Sequence, residues 1–270
     1  VVSEAGNFVT PVGIAIASNG DLLVADRDAF GGSGGIIRIN PSTGTQTVIS
    51  SGGNFVDPEF IVIDSNGDLF VTDYDGPNPG KVIKVNASTG AQTLISSGNN
   101  LLNVVAGLAI GANGDLFVVT NNNAGSGSVV RVDPLTGGQT VVSSGGNFSF
   151  PASVAIDAYG DLFVTETGGI GAPGKVVRVN PETGDQTVVS SGNNLENPQG
   201  IRIARATTAP TADLSALNGT TGTTIFGADE DDRSGFAVHQ IGDLNGDGFD
   251  DVLIGAYRGD AAGNTKSNAG

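Results

Sequence analysis

Five positions able to supply oxygen ligands stand at regular spacing near the end of the chain. Side-chain oxygens occupy positions 1, 3, 5 and 9 of a nine-residue segment, and a backbone carbonyl is available at position 7. The five positions are Asp243, Asn245, Asp247, Phe249 through its carbonyl, and Asp251. Because calcium takes about six to eight oxygen ligands and a tightly turning loop presents alternate residues inward, this spacing predicts a calcium-binding loop.

The charges of this loop also favour a bound cation. Asp243, Asp247 and Asp251 are formally anionic, and carboxylates about 4 Å apart repel by about 1–4 kcal/mol per pair unless a cation lies between them. Magnesium prefers a tighter octahedron and keeps its water, so Ca²⁺ is the predicted cofactor. The alternative is an Asp/Asn/Gly-rich turn that binds nothing, which the length of the motif disfavours.

The motifs on either side of the loop resemble those of a known repeat. They are Asp213 to Leu217, Asn218-Gly219, Ile225-Phe226-Gly227, Ser234-Gly235-Phe236 and Leu253 to Tyr257. Together with the loop they resemble the FG-GAP repeat, the calcium-binding blade unit of integrin α-chain propellers, over residues 213–263. The resemblance implies that the same five positions bind a structural calcium ion. Tyr257 replaces the proline of the family, and we expect this unit to be cut short.

A different unit repeats through the first two hundred residues. A motif centred on Gly-Asp-Leu recurs at spacings of 47, 47 and 46 residues. Its four copies are Asn19–Leu22, Asn66–Leu69, Asn113–Leu116 and Tyr159–Leu162. A Thr-Gly-x-Gln-Thr motif keeps the same period, so the sequence predicts a repeat architecture.

Each repeat has room for four short strands. In the first repeat the apolar-rich runs Gly13–Ala17, Asp21–Asp26, Ile36–Asn40 and Gln46–Ser50 alternate with turn residues. Four antiparallel strands in 46 to 48 residues match the size of a propeller blade. The predicted fold class is therefore all-β, a β-propeller of four-stranded antiparallel blades. Stacked sheets in a solenoid are the alternative, which we disfavour because ring closure removes exposed strand edges.

The residues of the first repeat carry a second resemblance. Pro11–Ile16, Asn19–Leu22 and Val24–Asp26 are similar to the blade signature of NHL-repeat and gluconolactonase-like propellers, and the similarity extends over residues 1–204. Members of such families include lactonases, lyases and interaction platforms. The resemblance therefore implies the fold and leaves the function open.

These patterns predict the domain organisation. The repeats span about 6–52, 53–97, 98–145 and 146–191, with a partial unit at 192–204, a linker at 205–212 and an FG-GAP-like segment at 213–270. Val1–Ser3 resembles the end of a fourth strand, and Pro198–Ala204 resembles only a first strand. Neither end completes a blade, so we expect either a ring closed by pairing of the two ends, with the remaining strands of a fifth blade supplied by the following sequence, or a piece of a larger propeller. Open strand edges also predict a homo-oligomer.

Composition narrows the classes of partner. The chain has 28 acidic and 12 basic residues, a formal net charge of −16, which disfavours nucleic acid and anionic membranes as partners. The sequence has no apolar run of the length needed to insert into a membrane. With the calcium loop, these features predict a secreted protein in the extracellular medium or at the cell surface.

The residues that could catalyse a reaction are few. The chain has one histidine, His239, in an apolar run that predicts an ordinary strand, and it has no cysteine. The recurring Ser-Ser pairs indicate turns rather than nucleophiles. Asp26, Asp73 and Glu166, with Asn121–Asn123, are candidates for a lactonase-like cation site, but one such group per repeat favours a structural role. We assign no catalytic and no cofactor-binding residue.

The connections between second and third strands differ between repeats, whereas the strands hardly change. They are Asp28–Gly34, Tyr74–Gly80, Asn121–Ser128 and Thr167–Gly174. Constant strands that carry variable loops on one face predict a recognition surface for a protein or glycan, with Phe30 and Tyr74 as its main aromatic residues. The predicted function is a non-enzymatic extracellular calcium-binding module for binding, adhesion or scaffolding. The alternative is a gluconolactonase- or lyase-like metal-dependent enzyme.

Overall fold

The chain divides into two compact units, Val1–Arg202 and Ile203–Gly270, which we describe separately. The computed structural model describes residues 2–3, 6–74, 76, 79–101, 104–121, 125–168, 172–192, 195–203, 234–242 and 251–256, the last two ranges as backbone only. The predicted linker at 205–212 lies outside these ranges.

The first half of the first unit forms two antiparallel sheets of four strands each. Sheet 1 consists of β1 (Pro11–Ile16), β2 (Leu22–Asp26), β3 (Gly35–Ile39) and β4 (Gln46–Ser51). Sheet 2 consists of β5 (Asp57–Ile63), β6 (Leu69–Tyr74), β7 (Lys81–Val85) and β8 (Gln92–Ser97). A single helical turn, α1 (Ala29–Gly32), interrupts the connection from β2 to β3.

The second half repeats this arrangement. Sheet 3 consists of β9 (Val104–Ile110), β10 (Leu116–Asn121), β11 (Gly127–Val132) and β12 (Gln139–Ser144). Sheet 4 consists of β13 (Pro151–Ile156), β14 (Leu162–Glu166), β15 (Lys175–Val179) and β16 (Gln186–Ser191). In every sheet the strands pair in sequence order. The predicted all-β class, with four-stranded antiparallel blades, is confirmed, and the strand limits predicted for the first repeat are correct to within two residues.

The recurring Gly-Asp-Leu motif closes the tightest hairpin of each blade. Gly20, Gly67, Gly114 and Gly160 have φ between 85° and 91°, a left-handed conformation that other residues rarely adopt. In the first blade the side chain of Asn19 accepts a hydrogen bond from the backbone N–H of Asp21. The motif is therefore a turn that aligns the first and second strands.

Among the described residues, three apolar cores lie between successive blades, and a fourth is formed by blade 1 together with Phe8. Between blades 1 and 2, Leu23 and Ile36 of the first pack against Leu69, Val71 and Ile83 of the second. Equivalent clusters join blade 2 to blade 3 and blade 3 to blade 4. The second strands of blades 1 to 3 are buried on both faces, which explains their continuous apolar sequences.

Hydrogen bonds join the outer strands of neighbouring blades. Gln92 Nε2 of blade 2 donates to Ser50 Oγ (3.0 Å) and the Gly52 carbonyl (2.9 Å) of blade 1. Ser50 Oγ donates to the Gly90 carbonyl (2.8 Å), and Gln92 Oε1 accepts from the backbone N–H of Asn54 (2.7 Å). We call this the Gln–Ser contact. It recurs between Gln46 and Ser3, Gln139 and Ser96, and Gln186 and Ser143.

The position of the serine pairs corrects one expectation. Ser50, Ser96 and Ser143 lie in the last residues of the fourth strands, not in turns, and they are buried. Each recurs because each blade must bond to the next, about forty residues along the chain.

The first strands of adjacent blades approach one another closely. A Cβ atom at Gly13 would lie 2.2 Å from the carbonyl oxygen of Glu59 in the next blade, and one at Gly107 would lie 2.4 Å from the Cα of Ser153. Only glycine allows this approach between backbones. The inner strands are therefore packed against each other at these points.

The second unit contributes one described hairpin, β17 (Ser234–Gly242) and β18 (Asp251–Ala256), which pair antiparallel. His239 lies within β17, opposite Leu253, as predicted for a strand residue. Over the whole described chain, no helix has the length and apolar character needed to cross a membrane.

We predict that Gln92→Ala lowers the free energy of unfolding by about 1–3 kcal/mol, because it removes two hydrogen bonds to the preceding blade and one to the connection that follows it, and leaves partly buried groups unpaired. Thr93→Ala, at the exposed next residue of the strand, is the control and should change stability by about 0.5 kcal/mol or less. Chemical denaturation followed by circular dichroism measures both. Equal stabilities of the two variants would contradict a role of the Gln–Ser contact in holding blades together.

Candidate functional site

Two sets of connections lie at the same end of each blade. In an antiparallel sheet of sequential strands, the connection from the second to the third strand and the one from the fourth strand to the next blade emerge together. Gly52, after β4, donates its N–H to the carbonyl of Gly34, just before β3, at 3.2 Å. We call this end of the blades the loop face.

A buried carboxylate organises the loop face of blade 1. Asp26 ends β2 with no solvent exposure. Its oxygens accept backbone N–H groups of Val9 (2.8 Å), Thr10 (3.0 Å), Ala29 (2.9 Å) and Asp28 (3.2 Å). Val9 and Thr10 precede β1, and Asp28 and Ala29 follow β2. One carboxylate therefore fixes both connections.

Glu166 takes the same role in blade 4. It is fully buried and accepts backbone N–H groups of Ser149 (2.9 Å), Phe150 (2.7 Å) and Gly168 (3.3 Å). Lys175, its partner across the ladder between β14 and β15, donates to the carbonyl of Asn147 at 3.1 Å.

Blade 2 uses a carboxylate and a lysine together. Asp73 is fully buried, accepts the backbone N–H of Val56 at 2.9 Å and lies 3.6 Å from Lys81 Nζ. Lys81 also donates to the carbonyl of Asn54 at 3.3 Å. In blade 3 the equivalent residue is Thr120, also buried, so this blade lacks the carboxylate.

The predicted structural role of the three carboxylates agrees with these contacts. The hydrogen bonds of Asp26 and Glu166 go to loops of their own blades, and so does that of Asp73 to Val56. Asn121 is buried at the end of β10, and Asn122 and Asn123 lie outside the described residues. Within the described ranges, no three aspartate, glutamate, histidine or cysteine side chains come together as metal ligands would.

One ion pair bridges blades 1 and 2 at the loop face. Arg27 follows Asp26, and its guanidinium lies 2.5 Å from the carboxylate of Glu59, near the start of β5. The Glu59 side chain is only 10 % exposed, whereas that of Arg27 is 33 % exposed. Because Glu59 lies on an inner strand, the pair lies on the inner side of the loop face.

Burial raises the pKa of Glu59 above its usual value of 4.5, and Asp57 raises it further, while the hydrogen bond and charge of Arg27 act in the opposite direction. Sequence reasoning missed this pair. A signal was present, since the other repeats have Val12, Ala106 and Ala152 at the position of Glu59.

The two aromatic residues expected in the loops are both half-buried. Phe30 lies in α1 with φ 57° and is followed by Gly31 with φ 81°, so the turn is left-handed at both residues. Its ring lies over Gly35, where a Cβ atom would be 2.7 Å away. Tyr74 ends β6. Each therefore presents part of a ring at the loop face.

The predicted calcium loop falls mainly outside the described residues. Asp243, Asn245, Asp247 and Phe249 are not described, and Asp251 is described only as the first residue of β18, opposite Gly242. The two strands that flank the loop in sequence do pair as a hairpin. The ligand set stays a prediction.

We predict that Asp26→Ala lowers the free energy of unfolding by about 3 kcal/mol or more, because it leaves several backbone N–H groups of two connections without an acceptor. Glu182→Ala, at an exposed turn between β15 and β16, is the control and should cost about 0.5 kcal/mol or less. Denaturant unfolding measures the difference. A tolerated Asp26→Ala would contradict the anchoring role.

The raised pKa of Glu59 predicts a pH dependence. The folded chain holds the Glu59 proton to higher pH than the unfolded chain, so the stability contributed by this group falls as pH rises through the range just above 4.5. Relative to Glu59→Gln, which cannot ionise, the wild type should lose stability as pH rises above 4.5. A constant difference between the two proteins, or a gain for the wild type, would contradict the assignment.

Comparison with known proteins identifies one repeat family and one type of fold. The FG-GAP repeat family matches residues 240–270. Among curated protein sequences, none is significantly similar to this chain.

Solved structures similar to this chain are β-propellers. A chain of the nidogen/laminin complex has a TM-score of 0.59 and 16 % identity over 72 % of this chain and 69 % of its own length. Virginiamycin B lyase from Staphylococcus aureus has a TM-score of 0.55 and 19 % identity, over 72 % of this chain and 59 % of its own length. The gluconolactonase XC5397 from Xanthomonas campestris has a TM-score of 0.53 and 15 % identity, over 69 % of this chain and 63 % of its own length.

The chain thus spans less than two thirds of the lyase and of the gluconolactonase. Identities this low indicate the fold alone. Together, the four-stranded blades and these similarities make the chain a β-propeller protein, in which residues 240–270 match the FG-GAP repeat family.

Proposed function

We propose that the chain is an extracellular calcium-binding propeller that acts as a binding, adhesion or scaffold module rather than as an enzyme. In this proposal Asp243, Asn245, Asp247, Phe249 and Asp251 hold a structural calcium ion. The FG-GAP match over residues 240–270 supports the metal role, because it covers all five positions. The same match supports an extracellular or cell-surface location, since this repeat is typical of extracellular proteins.

One observation carries the non-enzymatic interpretation. The buried carboxylates at the ends of the second strands, Asp26, Asp73 and Glu166, accept backbone N–H groups of the loops. A carboxylate that satisfies buried amides is costly to divert to a substrate or a metal, because the amides would lose their acceptor. These groups therefore support the architecture of the loop face.

The loop face is the proposed ligand surface. Its connections differ from blade to blade and are anchored on constant strands, which is how a rigid scaffold presents recognition residues. Phe30 and Tyr74 offer partly exposed rings, and Arg27 offers a partly exposed cation. A protein or a glycan ligand fits this mixture of aromatic and polar groups, and open strand edges would allow copies of the chain to associate.

A metal-dependent lactonase or lyase is the second candidate, and one observation favours it. Glu59 is a nearly buried acid with a raised pKa on the inner side of the loop face, and perturbed acids of this kind are common at catalytic sites. Its partner Arg27 offsets this argument, because a carboxylate bonded to arginine also occurs as a structural pair. Turnover of a panel of lactones by the wild-type protein would replace the binding proposal with this one.

We predict that the wild-type chain melts at a lower temperature with chelator than with millimolar calcium, since the bound ion removes repulsion among three carboxylates. Asp247→Ala should show the low melting temperature in both conditions. Asp250→Ala is the matched control, because it removes a charge from the same segment at a position between ligands. Thermal unfolding and calcium titration calorimetry measure these effects, and a wild type that melts alike in both conditions would contradict the calcium site.

A further inference from the structure

Three blades close their first hairpin with an asparagine followed by a glycine. Asn19, Asn66 and Asn113 are all exposed and hold the same position in the recurring motif. The glycines after them have φ of 85°, 85° and 90°. Each of these glycines donates its N–H to the carbonyl three residues earlier, at 2.8, 3.0 and 2.9 Å. The main chain of the three turns is therefore nearly the same, so differences in their chemistry come from side chains.

In blades 1 and 3 the asparagine amide is held by the residue two positions later. Asn19 Nδ2 donates to the Asp21 carboxylate at 2.9 Å, and Asn19 Oδ1 accepts the backbone N–H of Asp21 at 3.1 Å. Asn113 makes the same two bonds to Asp115, at 2.8 and 3.1 Å. Both polar atoms of each amide are occupied, which fixes the direction of the side chain.

Blade 2 caps the same turn with a different residue. Asp64 Oδ1 accepts the backbone N–H groups of Asn66 at 2.8 Å and of Asp68 at 2.9 Å. The equivalents of Asp64 are alanine in blade 1 and glycine in blade 3, which have no carboxylate to offer. Because Asp64 takes the Asp68 N–H, the Asn66 side chain makes no hydrogen bond to any residue that the structure describes.

Blade 4 shows that this kind of cap leaves the asparagine position without a structural task. Asp157 Oδ1 accepts the backbone N–H groups of Tyr159 at 2.9 Å and of Asp161 at 3.0 Å, as Asp64 does in blade 2. Tyr159 stands at the asparagine position and is 93 % exposed. The turn therefore does not require a particular side chain at this position once an aspartate caps it.

An asparagine that precedes glycine can react with its own main chain. The Gly67 nitrogen attacks the side-chain carbonyl carbon of Asn66, a new C–N bond forms, and Nδ2 leaves as ammonia with the proton of the Gly67 N–H. One molecule of water then opens the succinimide ring at either of its carbonyl groups, which gives aspartate or isoaspartate. Glycine favours the attack because it has no Cβ to obstruct it.

We propose that Asn66 is the site at which the folded first unit deamidates. Ring closure requires the asparagine side chain to turn toward the following nitrogen. At Asn19 and Asn113 this movement breaks two hydrogen bonds, each of which favours the held arrangement by about two- to tenfold. At Asn66 it breaks none among the described residues. Water is the only other reactant.

The reaction alters the blade in which it occurs. Its product places a further carboxylate between Asp64 and Asp68, which lie 3.9 and 2.9 Å from Lys84 Nζ. Isoaspartate also adds one carbon atom to the main chain between Ile63 and Leu69, which face each other across the hairpin. Leu69 is buried in the core between blades 1 and 2, so the change reaches the packing of neighbouring blades.

Peptide mass spectrometry measures the reaction at each asparagine after the folded protein has been incubated at mildly alkaline pH. Asn66 should deamidate at least about fivefold faster than Asn19. Both lie in the sequence Ser-Asn-Gly-Asp-Leu, so their rates should become equal in denaturant. Equal rates in the folded protein, or a difference that persists in denaturant, would overturn the proposal. Separate peptides report Asn218 and Asn245, which also precede glycine and lie outside the described residues.

A substitution at the cap tests the cause. Asp64→Ala gives blade 2 the residue of blade 1, so the Asn66 amide should take the Asp68 N–H and its rate should fall to that of Asn19. Asp157→Ala is the matched control, because it removes the same cap from blade 4 and should leave the Asn66 rate unchanged. Circular dichroism checks that both variants fold, and the wild-type comparison decides if one does not. An unchanged rate in Asp64→Ala, or an equal fall in both variants, would refute the role of the cap.

Discussion

Burial of apolar side chains between successive blades is the constraint on which the first unit depends. In β6, Leu69 and Val71 pack toward blade 1, whereas Phe70 packs toward blade 3. A single blade would expose these side chains to water. Each of them would then lose the stabilisation of about 1.5–3 kcal/mol that burial of a large apolar side chain contributes. Stability therefore belongs to the series of blades, and the Gln–Ser contacts close each interface at its outer edge.

The loop face follows from this stacking. Once neighbouring blades are packed, the connections at one end of each sheet converge, and their backbone N–H groups need acceptors away from water. Asp26 and Glu166 supply those acceptors from the ends of second strands, so the residues between can change without loss of the fold. Thr120 shows that one blade of the series tolerates the loss of the carboxylate.

Local patterns in the sequence were enough to predict the strands and the structural role of the buried acids. Gly20 and its equivalents mark a hairpin turn whose left-handed backbone conformation favours glycine. An acid at the same strand end in three of the four repeats predicts an anchor for the loops. Contacts between blades were harder to predict from the sequence. Ser50 and Gln92 are 42 residues apart, and a serine pair followed by a glycine is also typical of a turn, so the sequence alone placed Ser50 in a turn. The Arg27–Glu59 pair depends on which inner strands are adjacent, and only the departure of one repeat from the others indicates it.

The buried carboxylates of the loop face thus fall into two kinds, and the difference bears on function. Asp26 and Glu166 accept backbone amides, so removing their charge disrupts the loops themselves. Glu59 is held by another side chain, and its position is apolar in the other repeats, so the fold does not require an acid there. Glu59 is therefore the buried acid of the loop face on which the lactonase or lyase alternative rests.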